Sequence, residues 1–272
     1  MTKKIRIKKA YLFFSSFFIF ILHMPFVFAK ANPFGKLSSN KKNLPFSLAD
    51  SSLIKPNLAS NLPFSLYDSL RLGSLGLGRQ VFDYAMKGFN YMKETGAIAN
   101  KQIITIVDFS KPSSEKRLFI IDLENYKLLF NTYVAHGIQS GKEFANQFSN
   151  IPSSNKSSLG FYETLGTYIG GNGYSLKLQG IEQGINDNAN MRDIVIHGAD
   201  YVNERLIRSQ GYIGRSWGCP AVPRQLHKSI INKIKDGTCL FIFSPEKKYL
   251  ASSKILNSHF NFPPYALNYE RN

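Results

Sequence analysis

Cysteine is almost missing from this sequence, with two residues, Cys219 and Cys239, in a chain of 272. Two are too few for a disulfide framework. No tight Cys/His spacing occurs, and a zinc site needs three or four gathered ligands; no metal and no cofactor is expected. Tryptophan is scarcer, a single residue, Trp217. Acids are outnumbered, 18 Asp and Glu against 34 Lys and Arg. Such an excess favours an anionic partner: nucleic acid, acidic lipid or a cell-wall polymer. No nucleic-acid module, basic helix or aromatic-basic stacking motif accompanies the charge, so nucleic acid is set aside as a partner. The glycine cluster GTYIGGNG at 166–173 is followed by a strand pattern instead of a helix, which excludes a phosphate loop and leaves a hairpin tip. NDNANMRD at 186–193 is rich in oxygen ligands but lacks calcium-loop spacing, and reads as a turn-rich loop.

One long apolar run is present, YLFFSSFFIFILHMPFVF, preceded by the bases Lys3, Lys4, Arg6, Lys8 and Lys9. Residues 1–29 therefore read as a secretory signal, with small residues for cleavage after Ala29 or Ala31. An uncleaved anchor is the alternative, although Ser15, Ser16, His23 and Pro25 make the run a poor membrane span. A membrane contact is expected only in that case. Residues 30–77 are a low-pattern linker carrying a near-repeat, NLPFSLAD at 43–50 and NLPFSLYD at 61–68. Two copies are too few for a solenoid.

From Gly78 the pattern turns helical, with Phe82, Ala85, Phe89 and Met92 on one face and Gly96 as a stop. Strands follow at 103–109, 117–123, 126–136, 159–164, 174–178 and 238–243, the second and third joined by a turn at Glu124-Asn125. A short helix over 225–236 shows Ile230, Ile231 and Ile234 on its apolar side. One β-rich domain over 78–256, with a few packed helices, precedes a polar tail at 257–272.

The stretch with chemistry in it is IVIHGADYVNERLIRSQGYIGRSWGCPAV, Ile194 to Val222. An apolar run ending in His197-Gly198 and a Gly-Cys-Pro turn at Cys219 place two reactive side chains at a sheet rim. A free thiol is only a few per cent ionised near neutral pH, and an imidazole that takes its proton makes it a nucleophile. A Cys219–Cys239 bridge would abolish that role. His-Gly followed some twenty residues later by Ser-x-Gly-Cys resembles the active-site motif of the L,D-transpeptidase catalytic domain (YkuD-type) family, here in the form Ser216-Trp217-Gly218-Cys219-Pro220-Ala221. The segment 131–193 is similar to the variant in which Pro-Ala follows the cysteine, and the resemblance spans about 78–256.

That resemblance implies a mainly β, L,D-transpeptidase-like β-sandwich with Cys219 and His197 on one rim. It also implies an exported enzyme of the periplasm or cell envelope acting on peptidoglycan stem peptides: Cys219 would form a thioester with release of the terminal D-alanine, and an amine would then accept the acyl group. If water accepts it instead, the enzyme is an L,D-carboxypeptidase. The chain departs from the family motif twice. Trp217 stands where a histidine is usual, and Ala221 where an arginine is. Arg215 and Arg224 are the nearest cations to replace that arginine, and His136 is a residue expected on the substrate side of the cleft. Amides of Trp217, Gly218 and Cys219 are the natural oxyanion donors, with Ser216 and Asp200 as loop braces. His227 is expected at the surface and His259 in the tail. A wall endopeptidase or amidase of the usual kind carries its Cys before its His, the reverse of this order. A non-catalytic wall-binding protein predicts loss of Cys219 or His197, and a basic membrane-surface binder rests on net charge alone.

Overall fold

A computed structural model describes residues 65–258. The expected signal segment, the first copy of the near-repeat and His259 lie outside the described residues. No helix among the described residues is long and apolar enough to cross a membrane. The second repeat copy enters the described chain at Ser65, whose side chain caps the one-turn helix α1 (Leu66–Ser69). Leu66, Leu72 and Leu77 are buried in the main core, so ordered packing includes residues on the linker side of Gly78.

α2 (Arg79–Glu94) buries Val81, Phe82, Ala85, Phe89 and Met92, the three-and-four spacing that turns one helical face inward. Gly88 sits where any Cβ would lie 2.0 Å from the Phe161 ring. Its missing side chain lets the helix press onto the sheet. Phe161 in turn stacks on Phe241, centroids 4.2 Å apart. Each such fully buried large apolar side chain contributes about 1.5–3 kcal/mol.

The eight strands are β1 (Ile103–Asp108), β2 (Leu118–Asp122), β3 (Lys127–Thr132), β4 (Gly160–Gly170), β5 (Gly173–Gly180), β6 (Val195–Ala199), β7 (Ala221–Pro223) and β8 (Cys239–Phe243). They form a single mixed sheet in the order β3-β2-β1-β8-β4-β5-β6-β7. β1 and β8 are parallel neighbours and every residue of both is buried, the signature of strands covered on both faces. The sheet curls back on itself. Its two edge strands are β3 and β7, and the chain leaving β3 bridges the β7 side at Ala135–Ala221 and Gly137–Ser216. The Cys219 turn stands at that seam.

The fold is mainly β, as expected. The glycine cluster is the tip of the β4–β5 hairpin, as expected, and the strands run well into it: Gly170 pairs with Gly173, leaving Gly171-Asn172 as the turn, with a register shift lower down between Thr164 and Thr167. Turn Glu124-Asn125 is held by Asp122, whose carboxylate accepts both backbone amides at 3.1 and 2.8 Å. Three helices were not foreseen: the one-turn α1, α3 (Glu204–Gln210) and α5 (Lys247–Ser252). α3 buries none of its residues, so it has no apolar stripe to read. Its signals are local ones: Asn203 caps the start by accepting the Leu206 amide, and Gly211 ends it at φ 86°. α4 (His227–Ile234) buries Ile230, Ile231 and Ile234 as the pattern required.

Candidate active site

Strand β6 decides where His197 points. Ile194 and Ile196 pack into the main core, while Ala199 joins a smaller cluster with Ala135, Val202, Ile213 and Ala221 on the opposite face. Alternation along a strand puts His197 on that second face with Ala199. Parallel pairing sets His197 opposite Ala221, two residues beyond Cys219. Gly198 is needed for this arrangement, because a Cβ there would lie 2.6 Å from the His227 ring. His227 itself, expected at the surface, is buried beneath that glycine.

The His197 ring is 4% exposed. Its Nδ1 lies 3.2 Å from the carbonyl oxygen of Gly198; with Nδ1–H donating there, the Nε2 lone pair is left to accept a proton. Burial holds the imidazole below its ordinary pKa of 6.5, and the charges of Arg224 and His227 act in the same direction against the Gly198 hydrogen bond. Cys219 is half-buried and free. Burial pushes its thiol above the ordinary 9.0, opposed by the Val195 amide and the charge of Arg192. These directions favour a neutral thiol and a neutral imidazole. The Cys219 Sγ has the Asp193 carbonyl as its partner at 3.5 Å; among the described residues no hydrogen bond joins it to His197. Cys239 is remote from this rim, buried in β8 against the Met92 sulfur at 3.6 Å, and the two cysteines are not bridged.

The turn before Cys219 is held from inside. The Ser216 hydroxyl donates to the Cys219 carbonyl at 2.6 Å and accepts the Gly218 amide at 3.1 Å. Its backbone joins the seam through the His136 carbonyl at 3.0 Å and the Ile138 amide at 2.7 Å. Ser157 donates to the Gly218 carbonyl at 3.1 Å. Gly218 adopts φ 125°, and a Cβ there would come within 2.9 Å of the Lys156 carbonyl. The Gly218 amide is thus already engaged, which removes it from the three expected oxyanion donors. Trp217 projects from the turn, 80% exposed.

The remaining expected residues fall elsewhere. His136 is fully buried, with both ring nitrogens in use: Nδ1 accepts from Arg117 at 2.7 Å, and Nε2 faces the Gly141 carbonyl at 3.3 Å. A sealed imidazole cannot stand on the substrate side, and that expectation is corrected. Burial and the Arg117 charge push its pKa down to about 3. Arg117, fully buried, also donates to the Val134 and Lys111 carbonyls and lies over the Phe109 ring. Arg215 donates to the Gly141 carbonyl at 3.0 Å, spanning from the Cys219 turn to the 137–148 loop. Arg224 pairs with Asp200 at 3.4 Å and donates to Asn172 O at 3.1 Å; its charge acts on His197 instead of the thiol. Sequence reasoning missed Arg192, whose guanidinium lies on the Cys219 side of the seam. No spacing relative to the motif marked it, because only the fold of the 186–193 loop carries it there.

The L,D-transpeptidase catalytic domain model matches residues 74–243. The chain belongs to the L,D-transpeptidase catalytic domain family. No curated protein matches it. Among solved structures, an L,D-transpeptidase from Mycobacterium smegmatis shares 11% identity at TM-score 0.32, over 53% of this chain and 59% of that one. The helical cell shape determining protein Pgp2 from Campylobacter jejuni shares 16% at TM-score 0.37, over 54% and 49%. The L,D-transpeptidase (Yku) from Stackebrandtia nassauensis shares 16% at TM-score 0.32, over 61% and 67%. The chain therefore spans about half to two thirds of the length of these structures. Within this L,D-transpeptidase domain the motif residues Ser216 to Ala221 all lie at the seam where the sheet edges meet.

Proposed function

We propose that this chain is an exported cysteine acyltransferase of peptidoglycan stem peptides, with Cys219 as nucleophile and His197 as the base and acid. The observation that carries the reading is the His197 ring, held through Nδ1 by its neighbour's carbonyl and set by strand register beside the Cys219 turn. No acidic third member is required, because the backbone carbonyl fixes the tautomer.

In the first half-reaction the thiol rotates from the Asp193 carbonyl to His197, gives Nε2 its proton, and Sγ attacks the carbonyl at the L-centre of the stem's third residue. The Trp217 and Cys219 amides meet the oxyanion. Collapse breaks the C–N bond, His197 returns the proton to the departing D-alanine amine, and a thioester remains. In the second half an acceptor amine attacks the thioester, loses a proton to His197 and releases the thiol. With Ala221 after the cysteine, the family's arginine is absent from the turn.

The test is incubation of the chain lacking residues 1–29 with tetrapeptide muropeptides, beside Cys219→Ala, followed by intact-protein mass spectrometry. An acyl adduct with release of D-alanine in the wild type alone is expected. Cross-linked dimers among the products identify the transpeptidase, and tripeptides alone identify the carboxypeptidase. Equal inertness of both proteins, with binding to the wall retained, overturns the catalytic reading in favour of a wall-binding protein. Secretion of a reporter by residues 1–31 tests export.

A further inference from the structure

The family's arginine two residues past the cysteine is Ala221 here, and neither Arg215 nor Arg224 directs a free charge at the thiol. A third cation does stand there. Arg192 is half-buried and grips the neck of the 149–158 loop through both terminal nitrogens. Nη1 donates to the Ser149 carbonyl at 2.7 Å and the Ser158 hydroxyl at 2.5 Å. Nη2 donates to the Ser154 hydroxyl at 3.2 Å and the Lys156 carbonyl at 2.8 Å. That Lys156 carbonyl is the atom packed against Gly218, and Ser157, the next residue, bonds the Gly218 carbonyl. On its other side Arg192 adjoins Asp193, whose carbonyl holds the Cys219 thiol. Among the described residues Arg192 has no carboxylate within ion-pair distance, although at the thiol the neighbouring Asp193 charge opposes it.

We propose that Arg192 is the positioning residue of this site: its planar fork holds the 154–158 segment against the Gly218-Cys219 turn, and its charge, paired with no carboxylate, favours the sulfur anion that forms as the thiol gives its proton to His197. The proposal rests on Cys219 being the nucleophile. It assigns to a residue ahead of the motif, in the 186–193 loop, the cation that the motif itself lacks. Four hydrogen bonds shared between two terminal nitrogens suit a guanidinium and not an ammonium, so the two functions separate by substitution. A lysine keeps the charge and loses the fork. A glutamine loses the charge and keeps part of the hydrogen bonding. The loop retains a second tie to 186–193, with Asn150 bonded to Asp187 and to the Asn188 amide, so neither substitution frees it entirely.

The test is the pH profile of iodoacetamide alkylation of Cys219 in the full chain, with kcat and KM for stem tetrapeptide measured alongside. Cys239 is wholly buried and stays silent while the protein is folded. Arg192→Gln should move the alkylation midpoint upward by about one pH unit, a tenfold slower reaction at a given pH below it. Arg192→Lys should keep the midpoint and lower kcat about tenfold at unchanged KM, as expected when an interaction made in the transition state is lost. A Gln variant whose midpoint equals that of the wild type overturns the charge role; a Lys variant with wild-type kcat overturns the positioning role. If Arg192→Gln does not fold, the Ser154→Ala, Ser158→Ala double variant reads the clamp without touching the charge. A lower kcat with an unchanged midpoint supports the clamp, and wild-type kcat overturns it. Alkylation reads the thiol whether or not it turns over substrate. A profile that shifts while no acyl adduct ever forms therefore counts against the nucleophile reading and not against Arg192.

Discussion

Two histidines in this molecule carry the same local signature, an apolar approach followed by His-Gly, and they have opposite employment. His136-Gly137 and His197-Gly198 both flank the seam where the sheet closes. Both rings are buried, and burial pushes both below the ordinary imidazole range. The difference lies in the nitrogens. His136 is bonded at both, to Arg117 and to Gly141, and is a structural cross-brace whose carbonyl also seats Ser216. Among the described residues His197 is bonded at Nδ1 alone. An imidazole can move a proton only through a nitrogen that the fold leaves unoccupied.

Substitution should separate the two most sharply in turnover. His197→Ala should lower kcat for D-alanine release about 10³-fold while leaving thermal stability near wild type, read by steady-state kinetics beside calorimetry. A stable, fully active variant breaks the comparison at its main point. His136→Ala should do the reverse: it leaves a buried Arg117 donor unmatched, at a cost of about 2 kcal/mol in denaturant unfolding, while KM for the stem peptide is unchanged in the folded fraction. A raised KM at intact stability would return His136 to the substrate side. Ser216→Ala tests the link between the regions. Losing its hydroxyl bonds to Cys219 and Gly218 should cost about 1 kcal/mol of stability, and kcat should fall more than KM rises.

The pH dependence should divide along the same line. His136 has a folded pKa of about 3 against an ordinary 6.5, so between those values the unfolded chain binds the extra proton. Its contribution to stability is present above pH 6.5 and is lost as pH falls through that window toward 3. Unfolding measured from pH 7 to 4 should show this slope, and His136→Asn should flatten it. His197 should report in activity instead. Its lowered pKa displaces the acid limb of kcat/KM to below pH 6.5, because only the neutral ring accepts the thiol proton.

Much of the molecule was legible beforehand. The α2 stripe, the two-face burial of β1 and β8 and the apolar side of α4 follow from spacing that one helix or strand displays by itself. α3 was not legible, because a helix that buries nothing has no periodicity and announces itself only through Asn203 and Gly211. The glycine cluster was legible as a hairpin tip but not in its extent: glycines mark freedom, and the two strands used that freedom to continue pairing up to Gly170–Gly173. His227 was misjudged because the pocket that buries it is Gly198, a residue on another element.

By itself the sequence determined the pair to be tested, His197 and Cys219, and the close-packed turn that holds them, since those are properties of residue type and short-range order. Only the tertiary structure decided that His136 is a brace, that the Gly218 carbonyl is seated by Ser157, and that Arg192 stands beside the thiol. Each of those facts depends on which polar atoms are left without partners once the sheet has closed. Hydrogen bonds among the 137–148, 149–158, 186–193 and 214–219 segments are made across the seam, between residues up to 77 apart in sequence, and no local pattern encodes them.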